Sequence, residues 1–166
     1  MKKMLFLIIA LNTLFCFAQN DKPDREEFTL ELPVDKVHFY TLDVAKSPYF
    51  VQPTLLQIYP GEKLNVEAEM KDGNIASMKV VKDNLHPERT ITMSFEYEKQ
   101  EDGGTYMMLV VNNPFDKPLH YEALMYTPKS NAWATTSILD VMPKIAGEET
   151  WPHPIVSLTL FNWKLK

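Results

Sequence analysis

Thr90-Ile-Thr-Met-Ser-Phe-Glu-Tyr-Glu-Lys-Gln-Glu-Asp-Gly-Gly-Thr-Tyr-Met-Met-Leu-Val-Val111 is the stretch that decides the fold class. Its first half sets Ile91, Met93, Phe95 and Tyr97 two residues apart, with Thr92, Ser94 and Glu96 between them. A period of two sends alternate side chains to opposite faces of an extended chain, so the segment reads as a strand with one face on a core and one in water. Tyr106 to Val111 is apolar at every position, the pattern of a strand covered on both faces. The charged, glycine-ended run 99–104 between them is a hairpin turn signal.

The same period recurs outward. Phe28, Leu30 and Leu32 alternate with polar residues, as do Leu64, Val66, Ala68 and Met70. Residues 64–70 are good helix formers, but apolar positions two apart would be smeared around a helix, so a strand is expected. Ile155, Ser157, Thr159, Phe161 and Trp163 continue the habit more loosely. Runs 37–44, 55–59, 75–82 and 119–127 are further strands, 137–141 a short one, and 143–153 a long loop. Twelve prolines leave little room for long helices. About nine short strands and no amphipathic helix predict an all-β sandwich or barrel spanning 27–166 as one domain.

Met108-Leu-Val-Val-Asn-Asn-Pro-Phe-Asp-Lys-Pro-Leu-His-Tyr-Glu-Ala-Leu-Met125 resembles a paired-strand unit of secreted immunoglobulin-like sandwich domains. There an apolar strand ends in Asn, a Pro/Asp/Lys turn follows, and an aromatic strand returns. With Glu149-Thr-Trp-Pro-His-Pro154 before the last strand, the chain resembles exported bacterial proteins of that class. The resemblance implies a fold, an immunoglobulin-like antiparallel β-sandwich of about nine strands, and does not imply an activity. The antibody-type Cys…Trp…Cys framework is absent, so no residue roles carry over.

The amino terminus bears on compartment. Lys2-Lys3, an apolar run from Met4 to Phe17 and then Ala18 form a secretory signal over 1–18, cleaved after Ala18. The run is shorter than the roughly 20 apolar residues of a spanning helix. Phe15 stands where a lipidation signal places a small residue before its cysteine, which argues against lipid attachment at Cys16. Residues 19–26, charged and turn-rich, read as a flexible lead-in. The expected mature chain of 148 residues, 166 less 18, lacks cysteine, because Cys16 is the single one. It therefore has no disulfide, no thiol nucleophile and no cysteine-ligated metal. A periplasmic or extracellular bacterial location, with no transmembrane span in the mature chain, is the expectation.

Charge narrows the partners. Seventeen Lys and Arg against 22 Asp and Glu give −5; removing Lys2 and Lys3 leaves 15 against 22, or −7. An acidic chain lacks the basic face that displaces counterions from nucleic acid. No Gly-x-Ser-x-Gly, no His-Glu-x-x-His and no glycine-rich phosphate cradle occurs. His38, His86, His120 and His153 are scattered; with Met107, Met108 and Met125 they leave open a periplasmic copper carrier. The better account is that such methionines fill core gaps, so no metal site and no cofactor are expected. Glu148-Glu149 and the glutamates 96, 98 and 101 leave open an enzyme acting on envelope glycans, which needs two opposed carboxyls. Adjacent loop glutamates seldom meet that need, and no catalytic residue is assigned.

Aromatics carry the leading reading. Trp133 and Trp151 lie in segments read as loops, where an indole stacks on sugars or anchors a protein contact, or else folds back to plug a sandwich end. Trp163, Phe161, Tyr97 and Tyr121 are expected in the core. The expectation is a noncatalytic binding or structural module of the bacterial envelope. It would meet a protein or glycan partner through Trp133, Trp151 and His153.

Overall fold

The computed structural model describes residues 20–35, 37–99, 105–130 and 132–166. The expected signal over 1–18 lies outside the described residues. The protein is all β, with two five-stranded antiparallel sheets packed face to face as a sandwich. The first sheet has the order β13 (Ala146–Trp151), β10 (Thr105–Asn112), β9 (Thr90–Lys99), β7 (Lys63–Lys71), β8 (Asn74–Val81). The second runs β12 (Trp133–Thr136), β11 (Leu119–Tyr126), β14 (Ser157–Leu165), β6 (Leu55–Ile58), β5 (Phe50–Gln52). Two small ribbons pair β2 (Phe28–Pro33) with β3 (Phe39–Val44), and β1 (Asp24–Arg25) with β4 (Ser47–Pro48).

Alternation places the core as the sequence predicts. Ile91, Met93 and Phe95 of β9 pair with Val66, Val111 and Leu109 or their neighbours on one inner face, and all are buried. Opposite them stand Leu119, Tyr121 and Ala123 of β11, Leu158 and Leu160 of β14, and Leu56 and Ile58 of β6. Strand β10 departs from expectation. Met107, Leu109 and Val111 are buried, but Tyr106, Met108 and Val110 are half-exposed on the outer face. There Met108 lies between Glu96 and Thr150, and Val110 between Ser94 and Glu148, so polar neighbours flank the apolar stripe where a second covering layer was expected.

Strand β14 is buried on both faces over its first half: Ser157, Leu158, Thr159 and Leu160 are buried in succession. Gln57 Nε2 donates to Ser157 Oγ and to the Tyr59 hydroxyl, and Phe28 of β2 meets Tyr59 edge-on at 5.8 Å. These contacts put the β2–β3 hairpin, with its buried Leu30, Leu32 and Val44, over the side of the second sheet away from the first. The face expected to unite Thr159, Phe161 and Trp163 is broken by a bulge. Between the pairs His120–Lys164 and Glu122–Phe161, Tyr121 alone faces both Asn162 and Trp163. Asn162 absorbs the extra residue at φ 55°, and Trp163 turns inward to stack on Tyr121 at 4.9 Å.

Two stretches read as loops are strands, namely β12 and β13, while 137–141 contributes a single bridge, Val141 to Leu119. The lead-in is also tied down. Lys22 N donates to Val80 O and Lys82 N to Asn20 O, each at 2.8 Å, so residues 20–22 extend the first sheet beyond β8. The polar composition that suggested a flexible segment does not matter here, because main-chain groups do the pairing along an otherwise open edge. Among the described residues no helix is long and apolar enough to cross a membrane.

Candidate functional site

The aromatic residues at one end of the sandwich gather around β12. This strand is only four residues long. Trp133, Thr135 and Thr136 are strand formers, and the strand pairs with β11 alone, in the register Tyr126–Trp133 to Ala123–Thr136. Among the described residues no strand pairs with its far side, which makes it an edge of the sheet. The preceding turn is held by hydroxyls: Ser130 Oγ lies 2.8 Å from Thr127 Oγ1 and bonds Ala132 O.

The two tryptophans singled out by the sequence part company here. Trp133 is 45% exposed and tilts against Tyr126, ring centroids 5.5 Å apart at 52°. Trp151 is 7% exposed and lies on β13 opposite Met107, edge-on to Phe95 at 6.3 Å. Its indole Nε1 donates to Thr136 Oγ1 at 2.7 Å, a bond that ties the first sheet to β12 of the second. Trp151 is thus a plug between the sheets, and the expectation of a contact residue does not fit its burial. Pro152, after the strand, ends the ladder. His153 follows half-buried, its Nδ1 donating weakly to Pro154 O at 3.4 Å. The chain then returns beside Tyr126, whose carbonyl accepts from Val156 N at 2.8 Å. The site therefore joins Trp133 and Tyr126 at the surface, Trp151 beneath them through Thr136, and His153 on the adjoining turn.

The other candidates disperse. His38 bonds Asp35 at 2.8 Å, His120 bonds Asp140 at 2.6 Å, and His86 lies 3.9 Å from Glu88. Among the described residues no three His, Cys, Asp or Glu side chains gather closely enough to hold a metal ion. Asp35 is held down at about 2 by the Val37 amide and by His38. Asp140 is held below its ordinary value by Lys166, 2.6 Å away, and then by His120. Glu148 and Glu149 are neighbours on a strand, so they point to opposite faces and cannot oppose each other across one sugar. Glu149 Oε1 instead accepts from Leu139 N at 2.7 Å.

Sequence reasoning missed Tyr126, whose role depends on its register against Trp133. It also missed a second exposed apolar group, Leu139, Met142 and Ile145. The available signal was three apolar residues three apart, in a segment without alternation that also holds Asp140, Pro143 and Lys144. No family model, no curated protein and no solved structure matches this chain.

Proposed function

We propose that the protein is a noncatalytic binding module of the bacterial envelope, exported by its amino-terminal signal and built on an immunoglobulin-like sandwich. It meets a protein or glycan partner through Trp133, backed by Tyr126, with His153 at the margin. The observation that carries this reading is an indole left 45% exposed on the outermost, four-residue strand of a sheet. An exposed indole offers a large, stiff contact area with a polar N–H, and such residues dominate recognition energies. The open edge beside it adds main-chain donors and acceptors for an extended partner segment. Trp151 supports the platform from below and makes no contact of its own.

The test is retention of envelope components by immobilised protein, compared among wild type, Trp133→Ala and Val37→Ser. Val37 is another exposed apolar residue, remote in sequence from the site, and serves as a control for nonspecific stickiness. Loss of a retained component in Trp133→Ala, with retention by Val37→Ser, supports the reading. Equal retention by all three proteins contradicts it.

A further inference from the structure

A hollow opens at the side of the sandwich, where β13 of the first sheet faces the chain segment 137–145. It encloses about 140 Å³, comparable to the roughly 150 Å³ cavities that admit a molecule the size of benzene. Its walls are Leu139, Val141, Met142 and Ile145, and Leu139 is 78% exposed at the rim. Tyr121, Asp140, Glu148 and Glu149 sit among these apolar walls, and two of them matter most. Tyr121 is 2% exposed, and its hydroxyl has no hydrogen-bond partner among the described residues. Glu149 gives one carboxylate oxygen to the Leu139 amide and leaves the other without a partner among the described residues.

The charge around the hollow is one-sided. Asp140, Glu148 and Glu149 line it, and among the described residues no Lys, Arg or His does. Asp140 is already engaged by Lys166 and His120, and Glu148 points to the other face of β13, which leaves Glu149 as the unneutralised charge. Burial and the nearby Glu149 charge push the Tyr121 hydroxyl up, so it stays a neutral donor and acceptor. A neutral apolar guest would strip water from this carboxylate without replacing it, and an anion would be repelled. A cation on an aliphatic stem satisfies both walls and charge, and the Tyr121 hydroxyl oxygen can accept from it.

We propose that this hollow binds a short aliphatic ammonium group, its stem packed on Leu139, Met142 and Ile145 and its charge met by Glu149 and Tyr121. The group could be carried by a free amine or by a lysine of a partner protein, and both present the same chemistry. The site is separate from the Trp133 end and does not rest on that reading.

The test is an NMR titration of ¹⁵N-labelled protein with n-pentylammonium, n-pentanol, pentanoate and the capped peptide acetyl-Leu-Lys-Leu-amide. The expected result is saturable shifts confined to Tyr121 and residues 137–149 with the ammonium, and none with pentanoate. Glu149→Gln keeps an acceptor for the Leu139 amide and should weaken binding by roughly tenfold or more, as loss of a charge-assisted contact does. Tyr121→Phe should weaken it less and leave the fold intact. Tighter binding of the peptide than of pentylammonium supports a protein lysine, and the reverse supports a small amine. Equal binding of pentanol and pentylammonium, undiminished binding to Glu149→Gln, or no shifts with any probe would overturn the proposal.

Discussion

Arg25 Nε donates to Glu62 Oε1 at 2.9 Å, in a setting where the two side chains keep 2% and 13% of their exposure. The remaining guanidinium donors reach Ser47 Oγ, Pro48 O and Gln57 O, and the planar group lies between the rings of Tyr49 and Tyr59 at 4.7 and 4.9 Å. Glu62 in turn accepts from the Tyr59 amide. One side chain thus fastens the β1–β4 ribbon to the β6–β7 turn. Arg25→Met leaves a buried carboxylate unpaired and should cost about 3–5 kcal/mol in urea unfolding. Arg25→Lys keeps the charge but loses the five-donor fork, and should recover little of that loss.

The two indoles should separate in the same assay. Trp151→Ala removes a buried ring and orphans a bond between the sheets, so a loss of about 3–5 kcal/mol is expected. Trp133→Ala truncates a half-exposed side chain on an edge strand, and its effect should stay within about 1 kcal/mol. Equal losses would mean that Trp133 is also a structural plug.

Gly147 of β13 lies close against Val141 of the segment 137–145. A Cβ built there falls 2.8 Å from Val141 Cγ2, and Val141 is itself buried. Gly147→Ala should therefore destabilise by about 1–3 kcal/mol through overpacking. Val141→Ala should restore part of that loss when combined with it, which a double-mutant cycle in denaturant will read as favourable coupling.

Asp140 supplies a pH-dependent contact. Its carboxyl is held below the ordinary 3.8, first by Lys166 and then by His120. A carboxyl whose pKa falls on folding contributes stability that is whole above its unfolded value. That contribution is lost as pH drops through the folded one. Lys166→Ala should therefore raise the Asp140 titration midpoint toward 3.8, and Asp140→Asn should flatten this part of the acid limb of the stability curve. An Asp140 midpoint unmoved by Lys166→Ala, followed by carboxyl ¹³C NMR, would contradict the contact.

The sandwich was legible because its inner strands obey the period of two: Ile91, Met93 and Phe95 are buried as their spacing requires. What escaped were features set by neighbours and not by local pattern. Strands β12 and β13 are edge elements whose short polar runs look like loops until β11 and β10 are beside them. Arg25 sits in a charged stretch that local composition marks as solvated, yet its partners lie 22 to 37 residues away. The bulge at Asn162 likewise depends on Tyr121 across the sheet, and it moves Trp163 to the inner face that simple alternation shares out differently. Of the three residues singled out for contacts, Trp133 is exposed, His153 is half-buried and Trp151 is core, a division that burial alone decides.

Acrylamide quenching of single-tryptophan variants tests this division most directly. With the other two indoles replaced by Phe, Trp133 should emit at long wavelength and quench steeply, whereas Trp151 should emit at short wavelength and resist quenching. A shielded Trp133, or a Trp151 quenched as readily as free indole, would contradict the account of a surface anchor resting on a buried plug.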